Sequence, residues 1–198
     1  MRNDCLNLQL IKTEQTGLQP SFLRALRDDF GLTTFMETGT FRGDTTAVAS
    51  RIFESVHSFE LSAELHTNAL KRFSGQANVE LHQGDSAELL PRILASGPRE
   101  KILFWLDGHF SGGPTAQGKV NTPILDEIRA IAAAGIHECV VLVDDLRCFQ
   151  KSGPGTPLSL TGYPTIWELR EALRAIFPKL CFAHYGDEIG RASCRERV

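Results

Sequence analysis

The chain has 198 residues, 42% of them apolar and 23% charged, and carries a formal net charge of -3. This is the balance of one soluble globular domain with enough apolar side chain for a sizeable core. A strongly basic nucleic-acid footprint is excluded on average, and no apolar run approaches the length of a membrane span.

The first residues, MRNDCLNLQL, lack a basic stretch followed by an apolar core, so no secretory signal is expected. Cys5, Cys139, Cys148, Cys181 and Cys194 are scattered without a CxxC pair. Such usage suggests reduced thiols and a cytoplasmic compartment. Residues 1–17 read as an N-terminal extension and 18–188 as one domain, with no repeat and no dividing linker. Leu18 to Phe30 has apolar residues at helical spacing, with Ser21 as a cap and Gly31 as a stop. Thr33 to Glu37 reads as a strand, Asp44 to Phe53 as a helix, Ser55 to Leu61 as a strand and Ala63 to Phe73 as a helix. Asn78 to His82 is the next strand and Ser86 to Leu94 the next helix. The run KILFWL, Lys101 to Leu106, is continuously apolar, as in a strand buried on both faces. A Gly-rich polar loop spans 108–121. A helix follows from Pro123 to Ala134, with Thr122 as cap and Pro123 at its first position. Cys139 to Val143 is a second buried strand, 147–164 a second long loop, Thr165 to Phe177 a helix and Leu180 to Tyr185 a sixth strand. Residues 189–198 back-translate into a sequence that resembles a common short-read sequencing adapter. They are read as a non-native tail that replaces the last strand.

Alternating strands and helices predict an α/β fold: a Rossmann-like three-layer sandwich, its mostly parallel sheet covered by helices on both faces. Ligands then bind beyond the carboxyl ends of the strands, where the strand order reverses. Three polar strand ends meet that expectation. The first strand runs into Glu37-Thr38-Gly39-Thr40-Phe41-Arg42-Gly43, whose glycines permit a tight turn and a close backbone approach. The second ends at Glu60, about 20 residues beyond Gly39, the offset at which an acid meets ribose hydroxyls. The third leads into Gly84-Asp85-Ser86, suited to an adenine edge. Two details weigh against NAD. The spacing is GxxxG and not GxGxxG, with Phe41 in place of the second glycine, and Asp44 stands where a pyrophosphate would dock.

On these motifs the chain resembles the class I S-adenosylmethionine-dependent methyltransferases, over about Thr33 to Tyr185. The resemblance implies cofactor contacts from Glu37, Thr38, Gly39, Thr40, Phe41 and Gly43, from Glu60 for the ribose and from Asp85 and Ser86 for adenine. Arg42 is either a contact to the methionine carboxylate or solvated. The fourth and fifth strands end in Asp107-Gly108-His109 and Asp144-Asp145, so three acids share one rim. They repel unless a cation or protons neutralise them, and hard oxygen ligands suit Mg²⁺. One of them could instead cap a helix or pair with Arg147 or Lys119. This arrangement resembles the metal-dependent small-molecule O-methyltransferases of the catechol and macrocin type, which implies Asp107, Asp144 and Asp145 as metal ligands. That type carries a lysine base after its strand-four acid. Here the next polar residue is His109, a base titrating near neutrality or alternatively a ligand. His109 and Asp107 are the catalytic candidates, while His57, His66, His82, His137 and His184 read as structural and Trp105 as core. The expected activity is methyl transfer to a hydroxyl oxygen of a small molecule or sugar. The alternatives are NAD-dependent redox chemistry and a non-catalytic nucleotide-binding domain. A small-molecule or glycan acceptor is the expected partner, with no nucleic acid and with oligomerisation open.

Overall fold

The computed structural model describes residues 18–108, 121–136, 138–145, 148–149 and 161–176. Five strands, β1 (Thr34–Thr38), β2 (Ser55–Glu60), β3 (Val79–Gln83), β4 (Ile102–Leu106) and β5 (Cys139–Val143), form one sheet in the order β3-β2-β1-β4-β5. All four pairings are parallel. Six helices connect or flank them: α1 (Pro20–Phe30), α2 (Asp44–Ala49), α3 (Ala63–Arg72), α4 (Ser86–Ser96), α5 (Ile124–Ala133) and α6 (Ile166–Ile176). The α/β reading therefore holds. The proposed sixth strand and the 189–198 tail lie outside the described residues.

Strand alternation divides the core in two. Phe35, Val56, Leu103 and Trp105 pack on one face with Leu23 and Leu26 of α1 and with Ala49, Ile52 and Phe53. Met36, Phe59, Ile102, Phe104 and Leu106 pack on the other with Leu90 and Leu94 of α4, Ile128 and Ile131 of α5, and Leu169 and Leu173 of α6. This two-sided burial is why β4 is apolar at every position, each large side chain contributing about 1.5–3 kcal/mol. Trp105 is core, as expected, 7% exposed.

Several element ends differ from expectation for local reasons. α1 starts at Pro20 after Gln19, not at a Ser21 cap, because proline at the first helical position already has helical φ and no N–H to satisfy. Its Gly31 stop is as expected, at φ 62°. α2 ends early, at Ala49, with Ser50 as its C-cap. α4 continues to Ser96 with Pro91 inside it. In α5 Pro123 is itself the cap position and Ile124 the first helical residue; the Thr122 hydroxyl still accepts from the Ile124 N–H, at 3.4 Å.

β1 is central. Its sequence successors β2 and β3 lie to one side, β4 and β5 to the other. The crossover direction thus reverses between β1 and β4. In parallel α/β sheets the ligand crevice lies beyond the carboxyl ends of the two strands at such a reversal, here β1 and β4.

Candidate functional site

The β1 loop closes the crevice floor. Gly39 and Thr40 both donate their N–H to the Phe59 carbonyl, at 2.9 and 3.0 Å, which stitches the loop to β2. Gly39 has φ 87°, and a Cβ there would lie 2.5 Å from the Asp107 carbonyl oxygen. The glycine is therefore required twice, by its backbone conformation and by the close approach of β4. Phe41 takes φ 48°, so a phenylalanine holds a left-handed conformation where a dinucleotide motif would use glycine. That conformation is supported by a 2.7 Å hydrogen bond from the Phe41 N–H to Glu60 Oε2. Glu60 Oε1 accepts from the Ser62 N–H at 2.8 Å. The Glu60 carboxylate, 5% exposed, thus ties the loop of β1 to the end of β2.

Thr38 joins β1 to β4. Its hydroxyl accepts from the N–H groups of Asp107 and Gly108, both at 3.1 Å. Thr40 turns inward to Ser58, their hydroxyls 2.6 Å apart. Ser58 donates to Glu37 Oε2 at 2.8 Å, and Thr46 of α2 donates to the same oxygen. The register explains the convergence, since Glu37 lies directly opposite Ser58. Burial pushes the Glu37 carboxyl up to about 7, opposed by the Thr46 and Ser58 hydrogen bonds and reinforced by the charge of Glu60. Glu37 therefore sits beneath the loop, in a hydroxyl network that holds the loop's shape.

At the third strand end, Asp85 caps α4, its Oδ1 accepting from the Ala87 N–H at 3.0 Å. The Ser86 hydroxyl donates to Glu127 Oε1 at 2.6 Å. Gly43, at φ 78°, backs onto the Phe73 ring. Asp44 is mostly exposed and pairs with Arg72 at 2.8 Å. Arg42 lies over the Phe41 ring, 5.3 Å from its centroid.

Asp107 and Asp144 share a rim, the Asp144 N–H bonding to the Leu106 carbonyl at 3.2 Å. The Asp145 N–H donates to Asp144 Oδ1 at 2.7 Å. Burial holds the Asp107 carboxyl well above the usual carboxylate range, aided in decreasing order by Asp144, Glu37, Asp145 and Glu127. The three rim aspartates were legible as a group and Glu37 as part of the β1 loop motif, while the electrostatic link between them was not. Among the described residues, however, the three aspartates do not draw their oxygens into one ligand cluster. Glu127, 1% exposed on α5, was missed, since nothing in an amphipathic helix marks which acid turns inward. Tyr163 was missed too. It is buried edge-on against Phe149, and its hydroxyl is held above the usual range first by burial, then by Cys148, Asp145 and Asp107. His109, Lys119, Arg147 and most of both long loops lie outside the described residues.

No protein-family model matches the sequence. No curated protein matches it either. Solved structures do. The O-methyltransferase TomG from Streptomyces achromogenes, involved in tomaymycin synthesis and solved with SAM, superposes with a TM-score of 0.56 at 17% identity, over 79% of this chain and 66% of that one. The O-methyltransferase from Bacillus cereus, solved with SAH, gives 0.58 at 16% identity, over 84% of this chain and 72% of that one. A Klebsiella pneumoniae protein proposed to be an O-methyltransferase gives 0.58 at 14%, over 84% and 70%. The fold is the Rossmann-like methyltransferase fold. The chain spans about two thirds of the length of TomG. None of the described helices is long and apolar enough to cross a membrane.

A methyltransferase crevice must accept a nucleoside with a sulfonium and no phosphate. The residues present fit that group. Gly39 lets the β1 loop close against the Asp107 carbonyl at the end of β4, which fixes the course of the loop backbone. Glu60 presents a buried carboxylate at the end of β2. The acids beside the loop repel one another, and either protons or a nearby cation relieve that repulsion.

Proposed function

We propose that the chain is an S-adenosylmethionine-dependent methyltransferase that acts on a hydroxyl oxygen of a small molecule or sugar. The observation that carries this reading is the Gly39–Gly43 loop closing onto Glu60 at the point where strand order reverses, bordered by carboxylates. The methyltransferase fold of the superposed structures supports it.

S-adenosylmethionine supplies a methyl group already activated on a sulfonium. The chain's own work is positioning and proton handling. Each Glu60 oxygen already accepts one backbone N–H and keeps a lone pair for a ribose hydroxyl. Asp85 uses one oxygen to cap α4, which leaves the other for an exocyclic amine. The Gly39–Gly43 backbone would border the methionine part, and the hydroxyl network under it keeps that backbone in place. Such preorganisation is worth up to about 7–11 kcal/mol in the best intramolecular cases. His109 would take the proton of the acceptor hydroxyl.

Because the oxygens of Asp107, Asp144 and Asp145 do not converge, Mg²⁺ at this rim would rest on one or two of these carboxylates and fill its shell with water. It would supply Lewis acidity toward the acceptor oxygen. The decisive experiment is isothermal titration with S-adenosylhomocysteine and with NAD, followed by turnover on a panel of hydroxyl acceptors with and without chelator. Binding of S-adenosylhomocysteine and not NAD, with turnover, is the expected result. Preferential binding of NAD would move the chain to redox chemistry. Cofactor binding without turnover on any acceptor would make it a binding domain.

A further inference from the structure

The β2–β3 edge carries a cluster unrelated to the crevice. His57 is directly opposite Glu80 in the register, and His82 stands two residues further along β3, so all three side chains share one sheet face. By the same alternation this is the face opposite Ser58 and the Glu37 network. His57 Nδ1 lies 3.2 Å from His82 Nε2 and 3.5 Å from Glu80 Oε2, and His82 Nε2 lies 3.9 Å from Glu80 Oε1. Ligand atoms bound to one tetrahedral ion at 2.0–2.1 Å are about 3.3–3.4 Å apart. Among the described residues this is the one trio of His, Cys, Asp and Glu side chains that converges in this way.

We propose that His57, Glu80 and His82 bind a divalent transition-metal ion of the Zn²⁺ class. The two rings are nearly parallel, 8° apart, and His82 is also stacked on Phe59 at 4.8 Å. Both rings are therefore oriented before any ion arrives. The Ser55 hydroxyl is 3.3 Å from His57 Nε2, the position of the outer partner that fixes the tautomer of a ligating histidine. With Nε2 carrying the proton toward Ser55, Nδ1 keeps its lone pair on the side of His82 and Glu80. Burial lowers the pKa of both imidazoles against the pull of Glu80, which favours the neutral, ligating form.

In the metal-free state the two facing ring nitrogens are within hydrogen-bond distance, at 3.2 Å. A metal ion takes the place of that contact, with small rotations of both rings turning their lone pairs to a common point. Glu80, whose side chain is 64% exposed, completes three protein ligands and leaves the fourth position to water. Two imidazoles and one carboxylate suit Zn²⁺, Ni²⁺ or Cu²⁺, and not Mg²⁺, which prefers an all-oxygen shell. The ion would clamp the edge strand β3 to β2, immediately before the Asp85 strand end.

The test is isothermal titration of the full chain with ZnCl₂, alone and in millimolar MgCl₂, on the parent and on the Glu80→Gln and His82→Gln variants. Expected is one Zn²⁺ per chain, insensitive to Mg²⁺. Each substitution should weaken it by at least the about 10–100-fold that losing an outer partner costs a metal site. Absence of stoichiometric Zn²⁺ binding in the parent overturns the proposal. So does unchanged affinity in the variants, which would place the ion on cysteine thiols instead. If His82→Gln fails to fold by circular dichroism, Glu80→Gln, at an exposed position, decides alone. The outcome is independent of whether the crevice binds S-adenosylmethionine.

Discussion

Replacing Gly39 by alanine probes the junction on which the candidate site depends. Two costs add. The residue sits at φ 87°, where an L side chain costs about 1–2 kcal/mol. The new Cβ would also lie 2.5 Å from the Asp107 carbonyl oxygen, a backbone atom that cannot swing aside. Overpacking of that kind costs about 1–3 kcal/mol. The expected loss is thus about 2–5 kcal/mol, a large part of the stability of a domain this size. Gly31 is the matched control: it has φ 62°, but nothing lies within 4 Å of a Cβ built there. Gly31→Ala should show the conformational cost alone. Urea unfolding of both variants measures the difference, and titration of folded Gly39→Ala with S-adenosylhomocysteine measures the effect on the crevice. Relief of the contact has to move the β1 loop away from β4, so cofactor affinity should fall as well. Equal destabilisation by the two substitutions would refute the close-approach argument. Unchanged affinity in Gly39→Ala would detach the loop from the cofactor.

Glu60→Ala should weaken cofactor binding by about 1–3 kcal/mol, the scale of a charge-assisted hydrogen bond, with Glu60→Gln losing less; equal dissociation constants across the series would move the ribose contact elsewhere. The Glu37 carboxyl, raised from 4.5 to about 7, binds its proton more tightly folded than unfolded. Its ionisation therefore removes stability as pH rises through that window, by about 3 kcal/mol in all. Glu37→Gln should abolish that slope in urea unfolding between pH 4.5 and 7, and a parallel pH profile in the variant would reject the raised value. Asp144→Asn should lose methyl transfer while retaining S-adenosylhomocysteine in titration. Turnover by the parent protein that withstands excess chelator would remove the metal from the rim.

Much of the architecture follows from local sequence. Strand and helix order is written in hydrophobic periodicity. ILFWL of β4 announces a strand covered on both faces, because side chains of period two must find apolar cover above and below. CVVLV of β5 reads the same way but is only half-buried at all five positions, since it is the last strand of the described sheet. The polar strand ends at Gly39, Glu60, Asp85, Asp107 and Asp144 were legible for the same reason: parallel strands connected by helices put all their carboxyl ends on one edge. Tertiary structure decided what those residues touch. Glu37 and Thr40 turned out to share Ser58, because only the β1–β2 register sets Glu37 opposite it. Ser86 met Glu127 across two helices distant in sequence. His57 and His82, read separately as structural histidines, became neighbours through the β2–β3 register. A one-residue slip of that register would put them on opposite faces. Periodicity is a property of a few consecutive residues and survives in the unfolded chain. Register and helix rotation are set by the packing of whole faces, and exist only once the core has closed.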